Sequence, residues 1–404
     1  MPGRETGGRG RLSPARDGQT PGELYYNDRS KSMGKRELLL IVGFVIVGVV
    51  VYQATAPPPT PGQQKFSLSR VIDSIKREVR GHRGRAEVTS TVTYPAETGV
   101  IEVRIGGGFG ELIVTGEARK DVEAAFRVSS NGSDEAEARQ LAQESQLKIE
   151  TAGSTINVGS KYPEGGTQRG YLTLKVPVGL RVRVEPGTNR LTITDVAGAE
   201  LTGARGETTI KRITGRVAAT QRGGRIAIED AGSVKLSARG SDAIVTRVTG
   251  ESTFELQAGE LTGRELRGTV NVEGRSAEVA LNDMQETTGP VRINLEGGRI
   301  SMTGLKADAR IDARNTEVEV SMTQAAPLAI YNEGDERIEL TPPPGGYQLD
   351  AVATDGRLTL PDGLLQVQVN DSGTEQRATG AVKGGGPTIT LRSTHGSITV
   401  TPRP

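Results

Sequence analysis

From Leu191 to Glu273 apolar and polar residues alternate in short runs such as RVAAT, SVKLS and TVNVE, with glycines between the runs. Alternation of this kind predicts half-buried strands. The runs recur as a refrain. ITDVAG, IKRITG, IAIEDAG, IVTRVTG and TGRELRG end at Gly198, Gly215, Gly232, Gly250 and Gly268, spaced by 17, 17, 18 and 18 residues. A second glycine falls inside most periods, at Gly206, Gly224, Gly240 and Gly259. One period is therefore two short strands and two tight corners. Glycine is expected at the corners because it accepts positive φ without steric cost. A fixed period of this length marks a stacked repeat. The fold class is all-β: a β-solenoid or β-roll of short stacked rungs. The period loosens after Gly268, and the stretch from Ala280 to Gly304 is irregular. Pairing signals resume in GGRISM, TEVEVSM, DERIEL, DGRLTL and the terminal HGSITV, with a loop expected at TPPPGG, Thr341 to Gly346.

The stack makes a demand on charge. Three residues before each closing glycine stand Asp195, Arg212, Glu229, Arg247 and Glu265, with alternating sign. Equivalent positions on successive rungs lie about 4.8 Å apart. Like charges there repel, whereas opposite charges contribute roughly 0.2–1 kcal/mol per pair. The row reads as a solvent-facing ladder that fixes register, with a ligand stripe as the rival reading.

Upstream of the repeats the pattern changes. Residues 1–36 are rich in Gly, Arg, Ser and Pro and predict a disordered cytoplasmic tail. Residues 37–56 predict a single transmembrane helix. Leu38 to Ala56 is free of charge, close to the roughly 20 residues a bilayer requires. Lys31, Lys35 and Arg36 precede it, which places the N-terminus in the cytoplasm and the C-terminal part in the periplasm or outside the cell. Ala54-Thr55-Ala56 has the form of a signal-peptidase site. The long n-region and Pro57 favour an uncleaved anchor over that alternative. Residues 57–65 form a Pro-rich spacer. Residues 66–80 form an amphipathic helix with Leu68, Val71, Ile72, Ile75 and Val79 on one face, read as a cap over the open end of the β-domain. Residues 81–185 predict an N-terminal β module with a helix at 133–146 capped by Ser133. Residues 186–404 hold the repeat solenoid.

Composition narrows the chemistry. With 50 basic and 49 acidic residues, no global field favours nucleic acid. Aromatics are 3% of the chain, as suits thin layers of Val, Ile, Leu and Ala. There is no cysteine, hence no disulfide framework or thiolate chemistry. His82 and His395 have no ligand-spaced partners, so no metal or cofactor is expected. IGGGFGE, Ile105 to Glu111, lacks the final glycine of a dinucleotide fingerprint and reads as a hairpin turn. Asn131-Gly132-Ser133 and Asn370-Asp371-Ser372 fit glycosylation sequons.

GELIVTGE, then YLTLKVPVGLRVRVEPG, then glycine-ended rungs and the closing THGSITV, resemble a family known as bacterial adhesins by name only, a β-strand-repeat domain of otherwise unknown function. The resemblance spans Ala86 to Thr399. It implies a surface or periplasmic β-roll, often tethered to a membrane, with no catalytic residues to carry over.

These readings converge on a non-catalytic, membrane-anchored protein that binds or scaffolds at the cell surface. Its expected partners are the bilayer, through residues 38–56, and a protein or glycan on the solenoid face. A single-pass sensor for a cytoplasmic partner and a carbohydrate-active β-helix enzyme are the alternatives.

Overall fold

The computed structural model describes residues 84–402, which fold as one unit. The tail 1–36, the span 37–56, the spacer 57–65, the helix 66–80 and His82 lie outside the described residues. Among the described residues no helix is long and apolar enough to cross a membrane.

Strands dominate. The alternation read in the sequence becomes alternating burial: Val291–Leu305, for example, turns Val291, Ile293 and Leu295 inward and Arg292, Asn294 and Glu296 outward. Successive rungs pair in parallel along two ladders. In the first, Val103 stands opposite Val182, Val182 opposite Ala199, and Ala199 opposite Val217. Further along, Ser252 pairs with both Val234 and Val270, Val270 with Val291, Val291 with Ala309, and Ala309 with Leu328. Val217, Val234 and Val270 are all buried in this ladder, as a regular stack requires. The second ladder carries Leu191, Ile193, Ile210, Leu261, Val279, Ile300 and Val318 inward. The core is the thin layer between the two ladders, mostly Val, Ile, Leu and Ala. Corners are so tight that extended, paired backbone continues through several of them without a break from Glu207 to Val248.

The five refrain glycines serve this tightness in a way the sequence did not reveal. Gly198, Gly215, Gly232, Gly250 and Gly268 do not adopt positive φ. Their role is close approach. A Cβ on Gly215, Gly232 or Gly250 would stand 2.5, 2.5 or 2.6 Å from a carbonyl oxygen of the preceding rung, and one on Gly268 would stand 2.4 Å from Gly250. Gly198 is looser, at 3.3 Å from Arg216 O. The mid-period glycines do take positive φ, for instance 79° at Gly206 and 57° at Gly240. At one such corner the fully buried Gln221 donates to the carbonyls of Gly206 and Gly223, at 3.2 and 2.8 Å, and accepts from Thr208 at 3.2 Å. Those corner groups would otherwise be buried without partners.

Chain order and rung order differ at both ends. The first rung, Glu102–Ile105 and Phe109–Glu117, lies between Thr155–Lys161 with Thr167–Pro177 on its outer side and Arg181–Val184 with Arg190–Thr194 on its inner side. The last rung in sequence, Thr388–Ser393 and Ile398–Val400, lies between Leu328–Glu333 with Ile338–Thr341 and Tyr347–Thr354 with Leu358–Thr359. The expected loop at Thr341 to Gly346 carries the chain past the place this rung fills. Each end is then closed by antiparallel strands. Asp121–Gly132, Gly84–Pro95 and Gln146–Ala152 cover the first, and Glu375–Val382 the second.

Three local expectations change. The boundary at 185/186 is not a boundary, because Arg181–Val184 bridges the first rung and Gly198–Ala204. The helix spans Glu135–Glu144 rather than 133–146, and its N-cap is Asp134, whose carboxylate accepts from Glu137 N at 2.8 Å. Ser133 instead donates its backbone N–H to the Glu137 carboxylate at 2.7 Å. IGGGFGE is a corner between the two ladders, not a hairpin: the strands it joins pair with different partners, and a Cβ on Gly107 would collide with Pro186 O.

Gly206, Gly224 and Gly259 combine positive φ with a carbonyl oxygen 2.1–2.3 Å from a Cβ, whereas Gly240 has positive φ alone, so Gly240 and the refrain Gly250 should respond differently to alanine. Gly240→Ala meets open space and only a left-handed backbone, so about 1 kcal/mol should be lost. Gly250→Ala must push two rungs apart and should lose about 3 kcal/mol. Urea unfolding of both variants decides, and a smaller loss for Gly250→Ala would reject the close-approach role.

Candidate functional site

The first corner of each rung carries the expected charge row, with one substitution. Asp195, Arg212, Arg247 and Glu265 all sit at corners with φ between 51° and 61°. In the third rung the corner residue is Asp230, at φ 58°, and not Glu229. Counting back from Gly232 misses by one because that rung has one residue fewer between corner and glycine. Charged residues thus occupy the left-handed corner that glycine was expected to hold. Short polar side chains such as Asp tolerate this conformation best.

The side chains pair in dyads. Arg212 grips Asp195 with both ends of its fork, Nε to Oδ1 at 2.6 Å and Nη2 to Oδ2 at 2.7 Å. Arg247 holds Asp230 the same way, at 2.6 and 3.2 Å, and also bonds Glu229. Glu229 accepts from Lys211 as well, at 2.9 Å. So Glu229 stays in the network, one place beside the row. Glu265 has no ion-pair partner among the described residues. The next left-handed corner on its far side is Asp283, at φ 56°, so the alternation of sign ends there. His395 is exposed in a bend near the last strand.

Hydrogen bonds set the titration. Arg212 holds Asp195 below the ordinary carboxylate range, and Arg247 does the same for Asp230. Lys211 first, then Arg247, hold Glu229 down. Their bonding in turn raises Arg212 and Arg247. The charges satisfy one another, which is the behaviour of a register device. Among the described residues, no three His, Asp or Glu side chains are grouped to hold a metal ion.

A second pair of rows was not singled out in the sequence. On the outer surface of the first ladder, Ser237, Glu255, Glu273, Asn294, Asp312 and Tyr331 stand in register on six strands. Two residues along each strand, Arg239, Gln257, Arg275, Glu296, Arg314 and Glu333 form a parallel row. A trough of about 750 Å³ follows these rows and continues into one of about 300 Å³; Asn294 and Glu296 line both. The signal was present as the polar partners of each alternating run, but only the register shows which of them align.

The family model described as Toastrack DUF4097 matches residues 113–401. A solved structure of a candidate cell adhesion protein from Clostridium sporogenes is similar at 10% identity, covering 79% of this chain and 100% of its own, with a TM-score of 0.19. No curated protein matches the chain.

The charge row yields two expectations. Arg212→Glu should lower Tm more than Lys211→Glu, since it sets a carboxylate against the doubly bonded Asp195 and near both Asp230 and Glu229, where the other sets one against Glu229 and near Asp230. Equal shifts in a thermal melt would reject the row as a register device. The second concerns acid. Asp195, Asp230 and Glu229 have depressed folded-state pKa values, so their stabilisation is present above the ordinary carboxylate range of about 4 and is lost as pH falls below it. Tm measured from pH 7 to pH 2 should fall below about pH 4, and the fall should be shallower in Arg247→Ala.

Proposed function

The chain belongs to the Toastrack DUF4097 family of β-repeat proteins, and from that premise we propose that it is a non-catalytic, membrane-anchored protein whose β-stack binds or scaffolds at the cell surface or in the periplasm. The uncharged stretch Leu38 to Ala56, with Lys31, Lys35 and Arg36 just before it and no basic residue after it until Lys65, supports the anchor and its orientation. The observation that carries the binding role is the in-register surface. Outward side chains of six successive strands align in continuous rows along the stack. A surface of this kind offers the same geometry at every rung and suits an extended partner. Both ends of the repeat are locked as inner rungs, which resists fraying under load. Adhesion and scaffolding both draw on that property.

Protease treatment of intact cells expressing the full chain, tagged at each end, tests the reading. The C-terminal tag should be lost and the N-terminal tag protected, once the outer membrane is opened where there is one. Protection of the C-terminal tag after that step would reject the proposed location.

A further inference from the structure

The two charge-bearing surfaces of the stack differ in one respect. At the corners the ion pairs use up nearly every group. In the trough they do not. Along its second row Arg239 donates to Gln257 at 2.5 Å, Arg275 meets Glu296 at 3.3 Å and Arg314 meets Glu333 at 2.9 Å. Along its first row Ser237, Glu273 and Asn294 have no hydrogen-bond or ion-pair partner among the described residues. Glu255 is only loosely met by Lys235, at 3.5 Å. A hydroxyl, a carboxylate and an amide therefore face the trough with their full bonding capacity free.

We propose that this trough binds a neutral linear polysaccharide laid along the stack axis. This deepens the surface-binding reading and rests on it for its biological setting. Spacing gives the first reason. Rows repeat at about 4.8 Å, close to the length of one extended sugar unit, and six strands span about 24 Å. A chain of hydroxylated rings can thus meet a fresh polar group at each rung. Charge gives the second. The trough carries Arg222, Arg239, Arg275 and Arg314 against Glu255, Glu273, Glu296, Asp312 and Glu333. Four cations against five anions attract neither nucleic acid nor an acidic polymer, which need a basic track. Glu273, unneutralised at the centre, would repel both. Surface chemistry gives the third. Protein interfaces centre on apolar and aromatic anchors, and this trough holds one aromatic ring, Tyr331, with Arg310 over it at 4.8 Å. Small-molecule pockets are enclosed and largely apolar, whereas this trough is open and polar. Sugars use donors, acceptors and an occasional ring together.

Calorimetric titration of the full chain in detergent tests the proposal, with cellohexaose, xylohexaose, mannohexaose and chitohexaose as neutral probes and hexagalacturonate as the acidic one. At least one neutral hexasaccharide should bind with Kd below about 1 mM, and its disaccharide about tenfold more weakly. Glu273→Ala with Asn294→Ala should weaken that binding by about tenfold at unchanged Tm. Arg212→Ala, on the corner row, should leave it unchanged. Absence of binding by every neutral hexamer, binding by hexagalacturonate alone, or indifference to the Glu273 and Asn294 substitutions would overturn it. Cell location is read separately by protease access, so either reading can fail alone.

Discussion

Each rung must stay at backbone hydrogen-bonding distance from the next around its whole circuit, corners included. Strand segments meet this easily, because their side chains leave the ladder perpendicular to it. Corners do not. There the chain turns toward its neighbour, and a Cβ pointing along the stack would strike the carbonyl below. Gly215, Gly232, Gly250 and Gly268 mark the places where this happens. The neighbouring left-handed residue completes the turn. Because its side chain points out of the stack, that position can carry charge, and the charges of adjacent rungs meet at bonding distance. The glycine and the ion pair are thus two answers to one spacing.

The ends of the stack face the opposite difficulty. A parallel ladder that simply stopped would expose a full edge of unpaired backbone, a template for another chain. Here neither end of the repeat lies at an end of the stack. Glu102–Glu117 and Thr388–Val400 each pair on both sides. The outermost rungs are internal segments of chain, held at both of their own ends, and antiparallel strands cover them. At the first end Phe109 of the first rung and Phe126 of the covering strand Asp121–Gly132 meet edge to face at 6.2 Å, so these scarce aromatics pack where regular layering gives way.

How much of this was legible follows from the range of each interaction. Rungs, corners and the alternating charge row arise from neighbours 17 or 18 residues apart, and the period displays them. Position 230 escaped because counting from glycine assumes equal corner lengths, and the third rung breaks that. The refrain glycines were found for the wrong reason, since sequence cannot separate a need for positive φ from a need for no side chain. The order of rungs at the ends escaped altogether. Pairing of Glu102 with Arg181, or Leu328 with Ile389, spans many periods. Nothing in HGSITV says that its neighbours are DERIEL on one side and DGRLTL on the other. The trough rows were equally hidden: Ser237, Glu273 and Asn294 are ordinary polar partners in their own strands and become a row only through register.

A repeat turns one-dimensional periodicity into a surface, and that limits what the surface can recognise. Any outward position recurs at the rung spacing, so an outward row is a ruler laid along the axis. A row whose members neutralise each other can only set register. A row left partly free can bind, and what it binds must share its period or ignore it. Compact ligands ignore it and gain from a single rung at most, with no enclosure to exclude water. A polymer that shares it adds one contact per rung, each weak, on a support too stiff to adapt. Affinity then grows with the number of rungs engaged, through sites already held at fixed separation. For such a stack, rung number sets the strength of binding and the outward residue of each rung sets its chemistry.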